Sequence, residues 1–185
     1  MFSSKQINDT RNQLFVLAQE KDRRDFLRYA VELIAKILNL YFVGIYLADE
    51  KKEFINLQAG SGEFGEKLLK HGHQIIITES GNFNEQAGTA YFLNEVRLTD
   101  LEAGQIFAWK TSAEKISEAK VGDGINLFGG SPIFPHSWAS LFLPIQRNGN
   151  ILGVLEITFD VMPNFSNPEI LKLQEIANEI ALKLA

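Results

Sequence analysis

The sequence predicts a single α+β domain built on an antiparallel sheet, and three observations predict it. Helical periodicity is strongest near the two ends of the chain, and two hairpin patterns, 42–59 and 138–159, lie between them. The helix-like segment after the first hairpin, about 65–71, is too short for the crossover that a parallel sheet requires. With 185 residues the chain can bury one sizeable core and is short of two domains of typical size.

Composition removes whole classes of function. There is no cysteine, so disulfides, thiolate nucleophiles, thiolate metal sites and thioether-linked cofactors are absent together. A net charge of -5 and no cluster of five or more Lys and Arg argue against nucleic acid as a partner. No stretch approaches the ~18 apolar residues of a membrane span, and "MFSSKQINDTRNQ" lacks the apolar centre of a secretory signal. A cytoplasmic location, with no membrane partner, is the expectation.

Residues 1–22 read as a helical extension, apolar mainly toward its end, before the charged break "EKDRRD". In "FLRYAVELIAKILNL", Leu27, Ala30, Val31, Ile34 and Leu38 form one apolar stripe and Phe26, Tyr29, Leu33, Ile37 and Leu40 a second. A helix apolar on most of its circumference is buried between two partners, a sheet and either another helix or another subunit. "YFVGIYLADEKKEFINLQAG" then gives strands at 42–48 and 53–59 around a polar turn. "GEKLLKHG" is a short helix stopped by Gly72, and "HQIIIT" a third strand.

Residues 79–105 are hard to place: a polar, Gly- and Asn-rich loop runs into a strand-like "TAYFLNEVRL", which suggests a long surface insertion. "IFAWKTSAEKISEA" is weakly helical, and "KVGDGINLFGGSPIFPHS" reads as an ordered, packed loop because Ile, Leu and Phe interleave its Gly and Pro. "WASLFLPIQRNGNILGVLEITF" is a hairpin turning at Asn148-Gly149. The last helix opens with Asn167 as N-cap and Pro168 at its first position, and Ile170, Leu173, Ala177, Ile180 and Leu184 form a coiled-coil-like seam.

Gly60, Gly62 and Gly65 have the G-x-G-x-x-G spacing of a dinucleotide-binding turn. The context does not fit. The preceding strand alternates and is the second arm of a hairpin, and the helix that follows is short. These glycines serve a tight strand-to-helix turn.

The order of elements, with "FVGIYLADE" at 42–50, "AGSGEFGEKLLKHGHQI" at 59–75 and "SPIFPHSWASLFLPIQRNGNILGVLEI" at 131–157, resembles a GAF domain. "LEAGQIFAW" at 101–109 is similar to the start of that family's middle helix, which makes 79–100 an insertion within a single domain over 23–185. The resemblance implies a GAF/PAS-like central antiparallel sheet of five to six strands, N- and C-terminal helices on one face, and irregular loops and short helices on the other. It also implies a sensory or regulatory module with a small-molecule pocket under the irregular segments. Phytochrome-type members hold a bilin through a cysteine thioether, and members that reduce free methionine sulfoxide use cysteine thiols. Neither chemistry is available in those forms to a cysteine-free chain, so a cysteine-linked bilin is not expected. The Asn-Lys-Phe-Asp-Glu signature of cyclic-nucleotide-binding members finds no convincing match.

In that geometry the pocket is lined from the middle helix and the loop before the penultimate strand, where Phe107, Trp109, Phe128, Phe134, His136 and Trp138 fall. Either these rings surround a small apolar or aromatic ligand, or they fill the pocket themselves. His136 reads as a ligand-facing donor, a haem ligand or a surface residue, with no second ligand near it in sequence. His71 and His73 are spaced H-x-H, but the turn at Gly72 favours a capping role. No motif nominates a nucleophile or a base. The expectation is therefore a non-catalytic sensory module, a homodimer through its terminal helices that passes its signal to a separate output protein. A self-filled interaction module and a cysteine-free enzyme on the same scaffold are the alternatives.

Overall fold

A computed structural model describes residues 2–110 and 139–184 and the backbone of a strand at 115–120. Two helices come first, α1 (Ser4–Glu20) and α2 (Arg23–Leu38), then strands β1 (Phe42–Ala48) and β2 (Phe54–Gly60), helix α3 (Gly62–Lys70) and strand β3 (Gln74–Ile76). A 3-10 turn at Phe83–Glu85 leads into α4 (Gln86–Leu93), and β4 (Glu95–Asp100), β5 (Gln105–Lys110) and β6 (Lys115–Lys120) follow. The hairpin β7 (Ala139–Arg147) and β8 (Asn150–Phe159) precedes the last helix, α5 (Asn167–Leu184).

All strands described pair antiparallel in one sheet, ordered β3-β2-β1-β8-β7-β4-β5-β6. The fold is the expected α+β arrangement with more strands than the five to six predicted. One face carries α1, α2 and α5 over Val43, Ile45, Leu141, Leu143, Leu155 and Ile157. The other carries α4 and Leu68 of α3 over Tyr46, Ile55, Leu57, Phe142 and Val154.

The two stripes of α2 are explained by α1, which packs against it on the side away from the sheet. Phe26, Leu27, Ala30, Val31, Ile34 and Leu38 are buried, while Leu33, Ile37 and Leu40 are partly buried against the same core. The second partner of α2 is thus a helix of its own chain. α1 itself is anchored: Ile7 and Leu14 are buried, and Arg11 pairs with Glu175 and Glu179 of α5. The seam of α5 is also used within the chain, with Ile170, Leu173, Ala177 and Ile180 all in the core.

The stretch 79–105, expected to form a long surface insertion of loop and strand, is packed into the domain beyond its first few residues. It supplies α4 and then β4, which lies inside the sheet between β7 and β5. "TAYFL" favours a strand by propensity, since Thr, Tyr and Phe suit a pleated surface. Tertiary packing decides otherwise: Gly88 sits so close to β3 that a Cβ would lie 1.8 Å from the Ile76 carbonyl oxygen. The reciprocal caps of Asn82 and Glu85 start the turn that leads into this helix, and Asn94, with φ 53, ends it.

"IFAWK", expected to open a helix, is β5. Ile106 and Ala108 face one side and Phe107 and Trp109 the other, so burial on both faces erases the alternation that marks a strand. The glycine motif is a packing device: a Cβ on Gly65 would lie 2.1 Å from the Gly60 carbonyl carbon, and Gly62 takes φ +64. The Gly62 N–H donates to Glu32 Oε1 at 2.8 Å, so a carboxylate of α2 occupies the place a phosphate would take. Asn148 and Gly149, with φ 51 and 80, form the tight turn the sequence calls for.

Candidate functional site

β8 runs through the centre of the sheet and is buried on both faces. Leu155 and Ile157 point to the helical layer, which sends Val154, Glu156 and Thr158 to the α4 side. Glu156 therefore places a carboxyl inside the domain, 3 % exposed. Directly across from it on β1 stands Gly44, and the next residue of β1 on that face is Tyr46, opposite Val154. Gly44 presents no side chain, and the rings of Phe42 and Tyr46 close over it, 3.0–3.1 Å from where a Cβ would stand, so that the Tyr46 hydroxyl reaches the carboxyl.

Three cross-strand hydroxyls complete the polar floor. Thr158 on β8, Ser140 on β7 and Thr99 on β4 lie side by side in register. Thr158 Oγ1 donates to Glu156 Oε1 at 3.4 Å, and the Ser140 and Thr158 hydroxyls are 3.1 Å apart. Thr99 Oγ1 donates to the Ser140 carbonyl at 3.2 Å. On the open side His73, in the link between α3 and β3, sets Nδ1 3.5 Å from the Tyr46 hydroxyl, with the rings edge to face. Ile75, Phe83, Asn84, Leu101 and Phe142 close the walls of a cavity of about 50 Å³.

Burial governs the electrostatics. It pushes the Glu156 carboxyl up from its ordinary range to about 7, against the hydrogen bonds from Tyr46, Ser140 and Thr158 that favour ionisation. Tyr46 is raised well above its usual value, first by burial and then by Glu156, and stays protonated. His73 is lowered by burial and is neutral at pH 7. Among the described residues no Lys or Arg pairs with Glu156, and no group of three His, Asp or Glu is placed to hold a metal. The result is a buried acid that titrates near neutrality, surrounded by hydroxyls and a neutral imidazole, in a cavity suited to a small polar head group.

Of the residues proposed from sequence, Phe107 and Trp109 belong to the opposite face. Trp109 is buried beside the first residue of α5, its Nε1 donating to Asn167 Oδ1 at 3.1 Å, and its ring stacks on Phe107 at 6.3 Å. Phe128, Phe134, His136 and Trp138 lie outside the described residues. His73 enters the site despite its reading as a cap, while Tyr46 and Glu156 were missed. A lone carboxylate in the middle of "ILGVLEITF" was the available signal.

No family model matches the sequence, and no curated protein matches it. Solved structures do. The phycoerythrobilin-bound GAF domain of a cyanobacterial phytochrome is similar with a TM-score of 0.70 and 15% identity over 97% of this chain and 94% of that one. The GAF domain of an Acinetobacter phosphoenolpyruvate-protein phosphotransferase gives 0.65 and 18% over 99% and 94%. The free methionine-R-sulfoxide reductase of Neisseria meningitidis, solved with its substrate, gives 0.67 and 17% over 99% and 92%. The chain has the GAF fold. The third likeness corrects the expectation of a non-enzyme: free methionine-R-sulfoxide reductases share this fold, so the scaffold gives no ground for excluding catalysis.

Proposed function

We propose that this chain is a GAF module that takes a small molecule into the Glu156 cavity. The observation that carries the reading is the buried Glu156 carboxyl, ringed by the hydroxyls of Tyr46, Ser140 and Thr158 and lacking a cationic partner among the described residues. Such a group is costly to bury ionised, and a ligand bearing an ammonium, amidine or amide N–H offsets that cost. The cavity of about 50 Å³ admits the polar head of the ligand, with His73 and Asn84 at its mouth. Occupancy shifts the packing of α4 and the sheet, and the terminal helices carry the change to a separate output protein.

Pairing of two copies through α1 and α5 is part of this reading. It is supported by exposed Phe15 and Val16 on α1 and by Leu171 and Leu182, which share the outer face of α5. An enzymatic reading of the same cavity is supported by Glu156 near neutrality beside Tyr46 and neutral His73, a set able to move a proton on a bound ligand. Native mass spectrometry of the purified chain tests the binding claim. A co-purified small molecule that is lost from Glu156→Gln is the expected result, and a molecule retained equally by both proteins would count against it.

A further inference from the structure

The opposite face of the sheet holds a second cavity, of about 140 Å³, between β5 and the turn that leads into α5. The rings of Phe107 and Trp109 form one wall, stacked with a 29° tilt, and Met162 and Phe165 stand among the other lining residues. Leu98, 2 % exposed, belongs to the core beneath it. The Trp109 N–H is already given to Asn167, so its ring offers the cavity only apolar surface. Among the described residues no charged side chain lines the space, and Asn164 and Asn167 supply amides to it.

We propose that this cavity is a binding site for one small, neutral aromatic ring carrying a single hydroxyl or amide, separate from the Glu156 cavity. The volume is close to the roughly 150 Å³ of an apolar cavity that accepts benzene. Aromatic walls favour a ring in offset or edge-on contact over an alkyl chain. The described lining holds no charge, so a carboxylate or an ammonium would find no charged partner among these residues. Asn167 is the first residue of α5, so a ring seated against the Trp109 and Asn167 pair bears directly on the start of the terminal helix.

Phenol is the probe. In the ¹⁵N-labelled full chain its addition shifts the Trp109 indole N–H saturably, with half-saturation below about 5 mM, as suits a ligand of this size. The signal is assigned by its loss in Trp109→Phe. Phenol ring protons show Overhauser contacts to the Met162 methyl, Met162→Trp weakens binding at least about tenfold by filling the space, and Glu156→Gln leaves it within about twofold. A linear, unsaturated shift up to about 20 mM phenol, no contact to the Met162 methyl in the wild-type chain, or loss of binding in Glu156→Gln overturns the proposal.

Discussion

Replacing Glu156 by Gln alters the pH dependence of stability in a direction fixed by burial. The carboxyl titrates at about 7 in the folded chain against 4.5 when exposed. At about 1.4 kcal/mol for each pKa unit, the ionised group costs the native state about 3 kcal/mol. The sign follows from proton counts. Between pH 4.5 and about 7 the native state holds a proton that the unfolded state has lost, so this residue makes stability fall as pH rises, with no further change above. Gln keeps the shape and the acceptor oxygen for the surrounding hydroxyls but never ionises. Urea unfolding from pH 4.5 to 8.5 therefore gives a Glu156→Gln minus wild-type difference that starts near its lowest value and grows by about 3 kcal/mol. With m-values of 1–3 kcal/mol/M, the midpoints separate by roughly 1–3 M urea. A difference that stays flat with pH, or a wild-type chain that gains stability over Gln as pH rises, would refute the reasoning.

Other substitutions probe the parts around this centre. Tyr46→Phe removes a hydroxyl that favours the ionised carboxyl, so the Glu156 titration followed by ¹³C carboxyl NMR moves further up; an unchanged or lowered midpoint contradicts the assignment. Gly65→Ala forces a methyl against the Gly60 backbone and destabilises by about 3 kcal/mol in urea unfolding, while a change below about 1 kcal/mol would show that α3 can shift freely. Arg11→Ala, at a partly exposed junction of α1 with α5, costs only about 1 kcal/mol or less, and the loss shrinks at high salt.

The sequence declares those parts whose local chemistry matches their final environment. Asn148-Gly149 takes the positive φ values its hairpin requires, and the apolar stripes of α2, apart from the exposed Tyr29, fall on the sheet and on α1. Strand β5 was illegible because it is buried on both faces, and because the Lys, Ala and Glu that follow favour a helix in isolation. Helix α4 was illegible for the reverse reason: β-prone Thr89, Tyr91 and Phe92 sit in a helix whose Ala87, Ala90 and Tyr91 pack with Tyr46, Phe142 and Val154, Gly88 allowing its close approach to β3. Attention to aromatic residues led to Phe107 and Trp109, whereas the polar cavity is marked by Tyr46 and Glu156, single polar groups within apolar strands. Only strand register reveals that Gly44, covered by the Phe42 and Tyr46 rings, stands opposite Glu156 and that Thr99, Ser140 and Thr158 align across three strands.

The central claim, a ligand held through Glu156, is tested most directly by thermal-shift titration of small ammonium, amidine and amide compounds against the wild-type chain and Glu156→Gln at pH 7.5. A ligand at a hundred times its Kd adds about 2.7 kcal/mol, enough to raise the melting temperature by several degrees. The expected result is compounds that stabilise the wild-type chain and leave Glu156→Gln unmoved. Compounds that stabilise both proteins alike, or none that stabilise the wild-type chain, would contradict it.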